Sequence, residues 1–394
     1  MRPVSHRTTL PAALALFVTA ALAACASGNQ SPSAVGSSLS AVAPASTGTP
    51  SPAITVTATA TATQNGPATA SPLPGQLLLY ADAGTWVIRP DGTGKRRVSS
   101  GSPVGWSHDG AMIHLATDTA KAGCQVTQLS YVALDGGSET IVPAGLKNGD
   151  WDFAWSPDDT KIAFFRPTIQ RPCGPQLKPD TRMDLMIVDA DGSHQRKLAI
   201  GVPDGAGALL AWTPDSRSIL VIQQDDETPW KGPIVSIQAI SGAPTQLSSA
   251  SGSYSDVAVS PDESQMAYVA EQGGFGAAHV VNLDGTGDRK LGDASSNDRL
   301  VAWSPDGGSL AILRTDRAGG PAHLVIATPA SGSQRDVYSP LVWKGTGPVI
   351  SWSPDGSSLA CIAQAGGIVV VTADGTGAVP VPDTTGATDA FWQP

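Results

Sequence analysis

The chain has few of the residues that usually mark a reaction centre. It holds 6 histidines and 4 cysteines among 394 residues. None stands in His-x-x-His, His-Glu-x-x-His or Cys-x-x-Cys spacing, so the sequence supports no zinc site and predicts no metal. There is no Gly-x-Ser-x-Gly elbow to present a nucleophile and no Gly-x-x-x-x-Gly-Lys-Ser/Thr loop to cradle a phosphate. Asp-x-Asp-Gly at Asp189–Gly192 lacks the further ligands of a calcium loop and reads as a hairpin turn. No catalytic residue and no cofactor follow from the sequence.

Charge is also scarce, at 15% of residues, and leans negative: 24 Lys and Arg against 34 Asp and Glu. That balance argues against a nucleic-acid partner and against electrostatic docking to an anionic surface. Long apolar runs are missing too. The stretch Leu10–Ala24 is too short to span a bilayer as a helix. It follows Arg2 and Arg7 and ends on Leu22-Ala23-Ala24, so residues 1–24 read as an export signal. Losing them would remove two arginines and leave 22 basic against 34 acidic residues.

Residues 26 to about 74 are almost entirely Ser, Thr, Ala, Pro, Gly and Val, as in Thr55–Thr63. Such a stretch cannot bury enough apolar surface to offset its chain entropy, and residues 25–75 read as a linker. Its composition also permits O-glycosylation.

What the chain has in abundance is a repeat. Trp352-Ser353-Pro354-Asp355-Gly356 recurs in variant form from Trp106, Trp155, Trp212, Val259 and Trp303, and the chain ends in Trp392-Gln393-Pro394. The steps run from 40 to 57 residues. After each motif comes an apolar strand such as Ile219-Leu220-Val221-Ile222. Then a third strand runs into an Asp-Gly hairpin, as at Asp191-Gly192, Asp284-Gly285 and Asp374-Gly375, and a fourth strand closes the unit. Nine residues after the motif's first residue stand Leu115, Phe164, Val221, Tyr268, Ile312 and Cys361, all apolar, which predicts a core position.

Four antiparallel strands per unit and this period predict an all-β propeller over residues 76–394. Trp392 opens a unit whose other strands lie at Leu77–Tyr80, Thr85–Arg89 and Arg96–Val98, so one blade is built from both termini. Six whole units and one composite make seven blades, or six if one weak unit is miscounted.

Two cysteines are expected to pair. Cys124 and Cys173 both lie 18 residues after their motif Trp, in equivalent loops of adjacent blades, which suggests a disulfide in an exported protein. Cys361 falls on a core position and reads as a buried free thiol. His279 and His323 both open third strands and read as satisfied strand-end histidines. The short Pro-Asp and Asp-Gly turns share one face, so the longer connections, notably Arg166–Arg182 and Gln223–Pro233, emerge on the other. Binding residues concentrate on loops held by a rigid scaffold, and Arg and Trp are favoured anchors. Arg166, Arg171, Lys178, Arg182, Trp151 and Trp230 are therefore the candidate contact residues. By strand direction the linker enters on the short-turn face, so the long-loop face points away from it.

Two resemblances extend this reading. Leu22-Ala23-Ala24-Cys25 looks like the lipobox of bacterial lipoproteins, which implies a diacylated Cys25 as the mature N-terminus. The Trp-Ser-Pro-Asp-Gly and Asp-x-Asp-Gly repeat is similar to the TolB-type propeller repeat. That resemblance implies a binding partner, a regulatory cap on a peptidase or, in some relatives, a metal-dependent lyase. The α/β domain that precedes the TolB propeller has no counterpart here. The combined expectation is a monomeric, non-catalytic propeller, lipid-anchored on the outer side of a bacterial cytoplasmic membrane, that binds an envelope protein or glycan. An envelope-polysaccharide lyase or hydrolase with its site in the central funnel is the alternative, and an accessory or sensory subunit of an envelope complex is a third.

Overall fold

The computed structural model describes residues 75–121, 124–135, 137–168, 182–203, 210–222, 232–247, 253–292, 296–316, 320–341 and 350–394. The export signal, Cys25 and the linker lie outside them. The described residues form no helix and build seven four-stranded antiparallel sheets. Blade 1 runs from Ser102 to Ile141, blade 2 from Trp151 to Pro203 and blade 3 from Ala211 to Gln246. Blades 4, 5 and 6 run from Ser253 to Lys290, Ser296 to Leu341 and Ile350 to Pro380. The seventh combines Asp389–Trp392 with Leu77–Ala81, Gly84–Ile88 and Arg96–Ser99.

The closure is as the repeat predicts. Leu77 stands opposite Trp392, Leu78 opposite Phe391 and Tyr80 opposite Asp389. The two termini thus share a sheet, which leaves no open edge at the seam.

Period-two alternation lets one strand serve two junctions, because successive side chains leave opposite faces. In blade 7, Leu77 and Leu79 pack with Leu359 and Cys361 of blade 6, while Leu78 packs with Ile113 and Leu115 of blade 1. Similar clusters join blades 1 and 2, 2 and 3, 3 and 4, and 4 and 5. All six residues expected at the core position are buried, with Tyr268 the most accessible at 4%. Burying each is worth roughly 1.5–3 kcal/mol.

The motif proves to be a hydrogen-bond device. Its Ser or Thr hydroxyl donates to the Asp carboxylate two residues on at 2.5–2.7 Å in all six copies, from Ser107–Asp109 to Ser353–Asp355. The same oxygen accepts the N–H five residues on, as from Met112 and Gln265. The Ser260, Ser304 and Ser353 hydroxyls hold the Asp262, Asp306 and Asp355 carboxyls below the usual carboxylate range. The motif Trp crosses to the preceding blade. Trp212, Trp303 and Trp352 donate their indole N–H to the Ala154, Ala258 and Ala302 carbonyls at 3.0 Å, and Trp106 donates to Phe391 at 3.2 Å.

The last motif residue takes a left-handed conformation, as at Gly307 (φ 70°). Asp159, Ser216 and Glu263 adopt it without being glycine (φ 57–62°), a strain of about 1–2 kcal/mol each. Each side chain compensates by accepting a backbone N–H from the preceding blade's turn: Asp159 from His108, Ser216 from Asp158 and Glu263 from Asp215.

Candidate functional site

A propeller's innermost strands line its axis. Three of the seven carry an aspartate at the same place, three residues before the motif's first residue: Asp152, Asp256 and Asp389 on blades 2, 4 and 7. Blades 1 and 5 have Pro103 and Leu300 there, and the positions in blades 3 and 6 lie outside the described residues.

The strand is irregular just here. Bulges fall at Val104, at Asp152–Phe153, at Ser255 and at Arg299. A bulge re-aims the side chains around it. The Asp256 carboxylate reaches sideways and accepts the Val301 N–H of blade 5's inner strand at 2.7 Å. Burial nonetheless raises its carboxyl to about 7. Asp152 is accessible to solvent yet closely ringed by protein. Among the described residues no partner competes with that desolvation, and its carboxyl is raised to about 7 as well. Asp389 is raised by burial, against the pull of the Thr388 hydroxyl, which donates to it at 2.6 Å.

One residue earlier stand Ser255, Arg299 and Thr388. The Ser255 hydroxyl and the Arg299 Nε are buried with no hydrogen-bond partner, and Arg299 Nη1 lies 3.6 Å from Glu271. The inner wall therefore carries three carboxyls, one guanidinium and unmet polar atoms. Such a wall suits a cationic or strongly hydrogen-bonding ligand. Among the described residues no three His, Cys, Asp or Glu side chains converge as a metal site would require.

The residues expected to contact a partner fare differently. Arg166 is not on a loop surface. It belongs to the second strand of blade 2, is 6% exposed, and grips Asp150 through Nε and Nη2 at 2.9 and 2.6 Å. Its Nη1 donates to Gln195, which donates to the Ala144 carbonyl. Blade 5 repeats the arrangement with Arg314, Asp298, Gln334 and the Leu291 carbonyl. A pattern used twice to fasten the entry of a blade is structural, and Arg166 leaves the set of contact candidates. The loop expected from Arg166 starts later, because the strand runs on to Pro167.

Trp151 is half-buried against Phe165, with ring centroids 5.6 Å apart, and its indole N–H is buried without a partner. Arg182 opens the third strand of blade 2 opposite Pro203. Arg171, Lys178, Trp230 and Cys173 lie outside the described residues. Cys124 opens the third strand of blade 1, opposite Lys121, rather than sitting in a loop. Cys361 is free and buried, its thiol pushed up to about 12 by desolvation. His279 bonds Asp288 at 3.1 Å and stacks on Tyr268. His323 stands opposite Arg314.

Neither the three aspartates nor the two Asp–Arg–Gln sets stand out in the turn motifs and loop lengths of the sequence. Numbering each unit from its motif would have found them. The aspartates share one offset, and Arg166 and Arg314 share another, as do Asp150 and Asp298.

Ring closure, sheet count and the motif's bonds define a seven-bladed β-propeller with an acidic inner wall. Residues 174–379, more than half of the chain, match the PD40 family, described as the TolB beta propeller domain, and the chain belongs to that family. Among solved structures, it is similar to a functionally unknown protein from Desulfotomaculum acetoxidans DSM 771, at 12% identity and a TM-score of 0.54, over 80% of this chain and 98% of that one. An oligogalacturonate lyase in complex with manganese matches at 16% identity and a TM-score of 0.52, over 79% and 84%. TolB from Acinetobacter baumannii matches at 15% identity and a TM-score of 0.49, over 81% and 82%. Likeness at these identities shows the fold alone.

Proposed function

We propose that this protein is an exported, lipid-anchored binding module that holds a basic segment of an envelope protein against its inner wall. One observation carries the reading: three blades place a carboxylate at the same point of the innermost strand, in a chain with a net charge of −10. A lysine- or arginine-rich segment entering the axis would meet these carboxyls in a confined setting, where opposite charges attract more strongly than in bulk water. Cys25 supplies the anchor and residues 26–74 the tether.

The working ligand state is the ionised one. Asp152 and Asp256 are raised to about 7, so affinity for a cationic segment should grow as the pH climbs from 6 to 8. The test is crosslinked recovery of partners from membranes bearing the lipidated protein, wild type against the triple variant Asp152→Asn, Asp256→Asn and Asp389→Asn. Loss of one dominant partner supports the reading, and unchanged recovery overturns it. Cys25→Ser should release the protein to the medium.

Raised carboxyls also favour a second reading, since a general acid near neutrality is what hydrolysis of an envelope polysaccharide would use. Depolymerisation of an envelope glycan by the purified propeller, lost in Asp152→Asn, would establish that reading instead.

A further inference from the structure

The outer strands repeat a contact of their own. At one place in the outer strand, blades 7, 2, 4 and 5 carry Arg96, Arg196, Arg289 and Arg335. Each guanidinium crosses to the next blade and donates through Nη2 to a carbonyl just past the third strand: Leu134, Ala239, Pro329 and Ala373. The last of these is 2.6 Å long. Blade 3 has Thr245 at that place. The carbonyl awaiting an arginine from it belongs to Leu283 of blade 4, and among the described residues no hydrogen bond reaches it.

The third strand departs at the same level. The residues opposite these positions are Val87, Tyr131, Ile187, Val280, Ile326 and Val370 in six blades, and Ser236 in blade 3. Two small residues thus stand where blades 7, 2, 4 and 5 put a large one and an arginine, while blades 1 and 6 keep the large residue beside Thr140 and Val379. The result is a cleft of about 250 Å³ between blades 3 and 4. Leu220, Leu247 and Leu283 supply its apolar lining, and Thr213, Ser218, Gln238, Asp215 and Glu263 its polar one.

We infer that this cleft receives the arginine side chain of a partner protein, taking the place of the arginine that blade 3 lacks. The methylene stem lies on the leucines, as long cationic side chains do on apolar surface. The guanidinium reaches the Leu283 carbonyl and the Glu263 carboxylate. A planar fork of donors suits a carbonyl beside a carboxylate better than an ammonium does. Glu263 keeps its Asp215 N–H at 2.5 Å through one oxygen, leaving the other for the ligand. Arg217 stands 3.6 Å from Asp215 but is 83% exposed and is not among the residues lining the cleft. This site lies on the short-turn face and stands independently of the inner wall.

The test is calorimetric titration of the full chain with N-acetyl-arginine methylamide and with its lysine counterpart. Saturable binding of the arginine compound is expected, at least roughly 10-fold tighter than lysine. Thr245→Arg installs the residue of four other blades on an exposed strand. It should abolish that binding and raise Tm. Ser236→Val should abolish binding by filling the cleft. The triple inner-wall variant should bind unchanged. No saturable binding up to about 10 mM, equal affinity for the two compounds, or binding undiminished in Thr245→Arg would each overturn the assignment.

Discussion

The junction between blades 1 and 2 and that between blades 4 and 5 are made from the same repeat, and half of each is the same. Both fasten the incoming blade with an arginine that grips an aspartate sixteen residues earlier and a glutamine at the start of the outer strand, Gln195 just before it and Gln334 within it. They part at the motif tryptophan. Trp303 bonds the Ala258 carbonyl, and Asp256 beside it bonds the Val301 N–H. Trp155 makes no such bond. Its indole N–H is buried without a partner, and its ring lies flat on His114, with centroids 3.8 Å apart and planes 10° from parallel. Tyr131 meets its edge at 6.5 Å. Blade 1 also has Thr140 where four blades have the bridging arginine. The 1–2 junction therefore replaces two directional bonds with stacked rings. Stacking onto a buried imidazole makes that junction sensitive to mild acid through His114.

The shared half should break alike. Arg166→Ala and Arg314→Ala each strand a buried carboxylate and should cost about 3–5 kcal/mol in denaturant unfolding. A loss near zero in either would show that the arginine is not what holds its blade.

The differing half should separate next, by pH. Desolvation lowers His114 from 6.5 to about 4. The imidazole is neutral in the folded chain, while the unfolded chain binds a proton as the pH falls below 6.5. The His114 contribution to stability should therefore decline between pH 6.5 and 4, by up to about 3 kcal/mol, and be fully present above 6.5. The raised Asp152 and Asp256 carboxyls act in the opposite sense over the same range, so this decline is read as the difference between wild type and a His114 variant. His114→Leu, which places in blade 1 the type of residue blade 3 carries at Leu220, should flatten that decline. The same slope in wild type and variant would remove His114 as its source.

The smallest effect concerns the strained turns. Asp159→Gly relieves a left-handed residue but surrenders the bond from the His108 N–H, and the two nearly cancel, to within about 1 kcal/mol in thermal unfolding. A larger loss would mean that this bond, and not the stack, is the main tie between blades 1 and 2.

The ring was legible because it rests on local signals. A tryptophan, a hydroxyl and an aspartate recur at fixed spacing, and each has a short-range duty. The pairing of Leu77–Tyr80 with Asp389–Trp392 was legible for the same reason, as the composite unit reads like its neighbours. The contact residues were not. Loop length placed Arg166 on a surface, while Asp150 and Gln195, the partners that bury it, stand 16 and 29 residues away and meet it only through strand register.

Sequence alone determined the repeat and the composite seam, since period-two alternation and turn chemistry act over a few residues, and the structure settled the count at seven rather than six. Only the tertiary structure decided which charges are spent inside and which are left for a ligand. A carboxylate's role depends on what the next blade presents to it. Among the described residues, Asp256 faces a backbone N–H, Asp152 faces no partner, and Leu283 offers a carbonyl that no arginine meets.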